Sequence, residues 1–210
     1  MAAATTDAPE FDFLLAGTWW SIPVNDPEET DRAIRRIVED AAGRSDELAT
    51  LRRLTRERLS ETVADARRIE AEHLYLAREI SPGLPLSASL AVYRPALDPL
   101  PEDVAASPKL ARAFVKAALA EADGPGAGIE ARELDLGSGA VLRRSWIVER
   151  TLQEGADPVR SLRADYWMPI PGTRGFLLLS FTSLFVPLAD KLLEFFDAVV
   201  GTVRWRDRAA

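Results

Sequence analysis

The chain contains no cysteine. Disulfides, thiolate nucleophiles, iron–sulfur clusters and cysteine zinc sites are therefore excluded. Histidine occurs once, as His73, which removes histidine-rich metal sites and leaves a Ser–His–Asp arrangement with a single candidate base. Lysine is nearly as scarce: of 26 basic residues only Lys109, Lys116 and Lys191 are lysine, a bias that high-GC codon usage explains more cheaply than recognition chemistry. Long apolar runs are also missing. No segment reaches the roughly 18 uninterrupted apolar residues of a membrane span, and MAAATTDAPEF carries neither a basic n-region nor a signal-peptide core. The expectation is a cytoplasmic chain that enters no membrane. A net charge of -7 and a pI near 4.9 argue against nucleic acid as a main partner, because phosphate-backbone affinity needs a concentrated positive footprint.

What is present is apolar patterning on a chain long enough to bury about 70% of its unfolded surface without covalent or metal staples. The densest stretch is YWMPIPGTRGFLLLSFTSLFVPLADKLLEFFDAVVGTVRW, Tyr166 to Trp205. It reads as a strand, a Pro/Gly turn, a nearly continuous apolar strand over Phe176 to Phe181, and one long helix. Leu188, Leu192, Leu193, Phe195, Phe196, Val199, Val200 and Val203 give that helix a broad apolar stripe with a polar edge at Lys191, Glu194 and Asp197.

Residues 1–10 read as a loose tail and 206–210 as another, with one domain over 11–205. Phe11 to Val24 predicts one or two short strands broken near Gly17. Asp26-Pro27 starts a helix, with Asp26 as cap and Gly43 as stop. Ser45 caps a second helix whose stripe of Leu48, Leu51, Leu54, Leu59, Val63, Ala66 and Ile69 is expected to face the core. HLYLAREI and LSASLAVY predict a hairpin around Ser81-Pro82-Gly83. A connector holding Pro95, Pro99 and Pro101 leads to a helix with Leu110, Phe114, Ala117 and Ala118 at helical spacing, ended by Gly124-Pro125-Gly126. Four strands follow, separated by Gly137-Ser138-Gly139, by Gly155 to Pro158 and by Pro171 to Gly175, which implies an antiparallel meander. Which of Arg143, Arg163, Asp165 and Trp167 share a face is not readable, because the loop near Gly155 hides the register. The fold class is α+β, an antiparallel sheet of about six or seven strands sandwiched between helices.

The Trp20–Val24 segment followed by helices, the hairpin LYLAREISPGLPLSASLAVY and the ending Thr202-Val203-Arg204-Trp205 resemble the PsbP-like superfamily, including its bacterial DcrB-type members. They are also similar to actinobacterial proteins with this ending. The resemblance implies a PsbP-like sheet between helices and a non-enzymatic role as assembly factor, adaptor or secretion chaperone; it brings no catalytic motif.

The chemistry-bearing residues read mainly as structure. Gly137-Ser138-Gly139 lies between strands, whereas a nucleophile elbow joins a strand to a helix. GPGAG at 124–128 follows a helix and lacks the Lys-Ser/Thr of a phosphate loop. Between Asp46 and Glu72 six arginines face seven carboxylates, the composition of a solvated, salt-bridged helix face. Asp26, Glu28 and Glu29 could hold a metal, but helix capping accounts for all three; no metal and no cofactor is expected. Of five tryptophans, Trp19, Trp20 and Trp167 are the candidate binding residues, since adjacent strand residues point to opposite faces. The expected function is a non-catalytic binding module, an adaptor or chaperone for another protein, compatible with a homodimer. The alternatives are a small-ligand domain with a pocket between sheet and helices, and a hydrolase using His73 or a carboxylate cluster.

Overall fold

A computed structural model describes residues 9–43, 46–81, 83–123, 128–151 and 157–206. The Ser45 cap, Pro82, most of GPGAG, the loop over 152–156 and the outermost tails lie outside the described residues. In chain order the elements are β1 (Glu10–Asp12), β2 (Thr18–Pro23), α1 (Pro27–Ala42), α2 (Ala49–Arg68), β3 (Ala71–Ser81), β4 (Leu84–Pro85), β5 (Ala88–Tyr93), α3 (Glu102–Ala105), α4 (Pro108–Asp123), β6 (Glu130–Leu136), β7 (Gly139–Arg150), β8 (Val159–Pro169), β9 (Phe176–Ser183), α5 (Ala189–Gly201) and β10 (Arg204–Arg206). The class is α+β, with antiparallel strands packed against helices. The chain divides into two compact units, Gly17–Arg94 and Pro95–Ala210 with the N-terminal segment.

In the unit Gly17–Arg94, β2, β3 and β5 pair antiparallel in that order, and the short β4 pairs with β3. Helix α1 starts where the sequence says it should. Asp26 Oδ1 accepts from the backbone N–H groups of Glu28 and Glu29 at 2.9 and 3.0 Å, satisfying two of the orphan donors at the helix start. Ile34, Ile37 and Val38 of α1 are buried with Ile22, Val24, Val63, Ala66 and Leu74, and α1 packs on β2 and α2. Gly17 has no room for a side chain: its φ is +86°, and a Cβ there would lie 2.1 Å from the Glu79 carbonyl oxygen.

In the other unit β6, β7, β8 and β9 form the expected antiparallel meander. The register Leu142↔Trp167↔Leu178 and Arg143↔Tyr166↔Leu179 assigns the two faces. One face carries Leu142, Arg144 and Trp146, Trp167, Asp165 and Arg163, and Leu178, Ser180 and Thr182. Helix α4 covers its first part, burying Ala111 and Val115 against Leu142, Trp167 and Phe176. Helix α5 covers the opposite face, where Phe196 stacks on Phe181 at 4.3 Å and Phe181 meets Tyr166 edge-on at 5.6 Å. With helices on both sides, β9 is buried along almost its whole length, as its unbroken apolar run requires. After α5, Arg204–Arg206 pairs with Glu10–Asp12 as a two-stranded ribbon, with Phe11 5.8 Å from Trp205.

Candidate functional site

The tryptophans occupy two settings. On β2, Trp19 and Trp20 point to opposite faces, opposite Ala77 and Leu76 respectively. Both are half-buried. Trp20 donates its indole N–H to Asp40 Oδ2 at 3.4 Å, and the Arg78 guanidinium lies 5.8 Å from its ring centre. Trp167 belongs to the other unit. It is 7% exposed and packs edge-on to Phe176 at 6.2 Å beneath α4, so what reaches solvent there is α4 itself.

His73 stacks on Tyr75 at 6.0 Å along one face of β3, paired across the sheet with Pro23 and Val92. Burial pushes the Tyr75 phenol above its ordinary pKa, with the Ser21 side chain opposing the shift. Among the described residues no carboxylate orients the His73 ring, and no group of three His, Asp or Glu side chains converges as a metal would require. Asp26, Glu28 and Glu29 serve the start of α1, as described above. A cleft of about 140 Å³ between α1 and α2 is lined by Asp31, Ile34, Arg35, Arg56 and Ser60. That is small and polar beside the ~300 Å³ or more of usual ligand pockets.

Helix α4 is unusual in being apolar on two sides. Its inner side is Ala111, Val115 and Leu119, with Arg112 alongside. Its outer side is Leu110, Ala113, Phe114 and Ala117, all exposed, with Leu110 at 55% and Phe114 at 46%. Spacings of three, four and seven put these four residues on one stripe. Polar contacts along the helix fix it in place. Arg112 is buried and donates to the Leu134 carbonyl at 2.7 Å and to Asp135 Oδ1 at 2.8 Å, with Glu133 Oε2 at 3.2 Å. Lys116 reaches Glu133 at 2.7 Å; Lys116 foremost, with Arg112 behind it, holds the Glu133 carboxyl below its ordinary pKa. At the far end Asp123 accepts from Arg144. The outer stripe is therefore presented by a helix tied to the sheet at its start, middle and end. Sequence periodicity showed these apolar residues without showing which stripe would be covered.

Beyond the end of α4 the same sheet face turns polar. Asp165 is buried and accepts from Ser180 Oγ at 2.6 Å. Burial raises its pKa above the ordinary aspartate value, against the lowering effects of Ser180, Arg163 and Arg144. Arg163 and Arg144 both lie against Trp146, at 5.7 and 5.8 Å from the ring centre.

Fold and site together define an antiparallel α+β protein in which Arg112, Lys116, Arg143 and Arg144 take part in ion pairs that join helix to sheet, and whose fourth helix carries an uncovered apolar stripe. No family model matches the chain, and no curated protein matches it. Among solved structures, the crystal structure of LpqN, involved in cell envelope biogenesis of Mycobacterium tuberculosis, is similar at 12% identity, over 95% of this chain and 85% of that one, with a TM-score of 0.39. A likeness of that size bears on neither fold nor function.

Proposed function

We propose that the protein is a non-catalytic protein-binding module, an adaptor or chaperone-like domain, that receives its partner on the outer face of α4. The observation that carries this reading is the Leu110–Ala113–Phe114–Ala117 stripe. Contiguous exposed apolar side chains on a soluble surface mark interaction sites. A stripe on a helix already fixed by Arg112, Lys116 and Asp123 can bind without a large ordering cost. Phe114 is the natural anchor, a large side chain flanked by small ones. The resemblance to PsbP-like and DcrB-type domains, with their assembly and chaperone roles, points the same way as an analogy of fold. Trp19 and Trp20 belong to the unit Gly17–Arg94 and are proposed as a separate candidate contact; Trp167 supports α4 from below.

The partner class is another polypeptide, and a second copy of this chain is one form of it. Mild crosslinking followed by affinity capture from native lysate tests the proposal, comparing the unaltered protein with Phe114→Glu and Trp20→Ala. A single stoichiometric chain is expected, with capture reduced at least about tenfold by Phe114→Glu. Capture indifferent to both substitutions, or turnover of a substrate by the purified protein, would overturn it.

A further inference from the structure

Residues four apart on a helix line up as ridges, and the exposed side of α4 carries two of them. One is Leu110–Phe114–Ala118 and its neighbour is Lys109–Ala113–Ala117–Glu121; all seven residues are exposed. The second ridge reads positive, small, small, negative. Turned end for end, it is its own complement in charge and in size. The first ridge is bulky towards the helix start, and the exposed residues of the last turns, Ala118, Ala120 and Ala122, are small.

The charges that end the second ridge are free to meet a partner. Every other ionisable side chain of α4 is committed to the sheet: Arg112 and Lys116 pair with Glu133, Arg112 also with Asp135, and Asp123 with Arg144. Among the described residues the side chains of Lys109 and Glu121 form neither an ion pair nor a hydrogen bond. We infer that α4 docks antiparallel on α4 of a second copy of this chain, about a two-fold axis near position 115. The inference rests on the reading of the outer side of α4 as the docking face, and it names the occupant. Such a contact is isologous, with the same patch used by both copies. Lys109 meets Glu121 of the other copy at both ends, Ala113 meets Ala117, and each Phe114 lies beside the alanine ridge facing it, where small side chains leave room. A parallel arrangement would instead set Phe114 on Phe114 and Lys109 on Lys109. A contact confined to one helix face from each copy is smaller than the roughly 800 Å² per partner of a standard interface, so the dimer is expected to dissociate in the micromolar range or above.

Sedimentation equilibrium of the full chain, from micromolar to millimolar concentration, tests the pairing, with far-ultraviolet circular dichroism to confirm that each variant keeps its helices. A monomer–dimer equilibrium is expected, and Phe114→Glu should abolish it. Lys109→Glu and Glu121→Lys each turn two attractive contacts into two repulsive ones, so either alone should weaken dimerisation about tenfold. An equimolar mixture of these two variants regains both attractions in the heterodimer and should associate as the unaltered protein does. A chain that stays monomeric throughout, a dimer indifferent to Phe114→Glu, or charge variants whose mixture associates no better than either alone would each overturn the inference. The docking reading of α4 fails separately. If the chain is monomeric while Phe114→Glu abolishes capture of a different polypeptide, the second copy is excluded as occupant and the docking face stands.

Discussion

Asp197 receives hydrogen bonds from two strands at once. Its Oδ2 accepts from Arg143 at 2.7 Å and its Oδ1 from the Tyr166 hydroxyl at 2.8 Å, fastening α5 to β7 and β8. Burial foremost, and then the charge of Asp197, push the Tyr166 phenol far above its ordinary pKa, so Tyr166 donates at every accessible pH. Asp197→Ala leaves the Arg143 guanidinium buried and unpaired, and should cost about 3–5 kcal/mol, read as a lower urea midpoint at unchanged slope. A loss below about 1 kcal/mol would mean that water replaces the pair. Asp165 makes an opposite prediction with pH. Its folded pKa is raised, so the folded state holds a proton that the unfolded chain releases. The stability it contributes is fully present below the unfolded pKa and declines as pH rises through the folded one. Denaturation profiles above about pH 4 should therefore fall more steeply for the unaltered protein than for Asp165→Asn; parallel profiles would show that the carboxyl titrates normally.

At the scale of elements, the sequence was most legible where apolar periodicity and punctuation agree. Asp26, Pro27 and Gly43 bound α1 as expected, and Gly137-Ser138-Gly139 turns β6 into β7. Helix α2 shows where such reading stops. Val63 and Ala66 are buried as expected, but Leu48, Leu51, Leu54 and Ile69 are exposed. At about 100° per residue, steps of three from Leu48 to Leu54 carry the stripe progressively off the face defined by Val63 and Ala66. Arg52 and Thr55 fall on that face instead and are half-buried. Arg67 turns inward, donating to the Val24 carbonyl at 2.8 Å and to Thr30 at 3.1 Å, which charge counting could not separate from a solvated face. The helix ends with Glu70 at φ 57°, a left-handed position that favours glycine. Glu70→Gly should thus raise stability by about 0.5–1 kcal/mol in chemical denaturation. Destabilisation would show that the side chain holds the turn.

For the whole molecule, alternation and turn residues were sufficient for the α+β class and the antiparallel meander. Arg163, Asp165 and Trp167 prove to share one face of β8, with Arg143 on the opposite face of the sheet. That assignment needed the register, which a long connection between β7 and β8 conceals. The pairing of Arg204–Arg206 with Glu10–Asp12 was equally hidden, since three-residue strands at opposite ends of a chain leave no periodic trace. Which apolar residues remain uncovered is likewise a property of packing, and the functional proposal rests on it. Phe114 is 46% exposed and lies outside the core cluster beneath α4, so Phe114→Glu should shift stability by no more than about 0.5 kcal/mol while removing the partner. The most direct test of the account is therefore a site-specific photocrosslinker at position 114, paired with one at the surface position Glu61 as control. Position 114 is expected to capture one defined chain, or a second copy of this protein, at high yield while position 61 captures none. Equal or absent capture at both positions would contradict it.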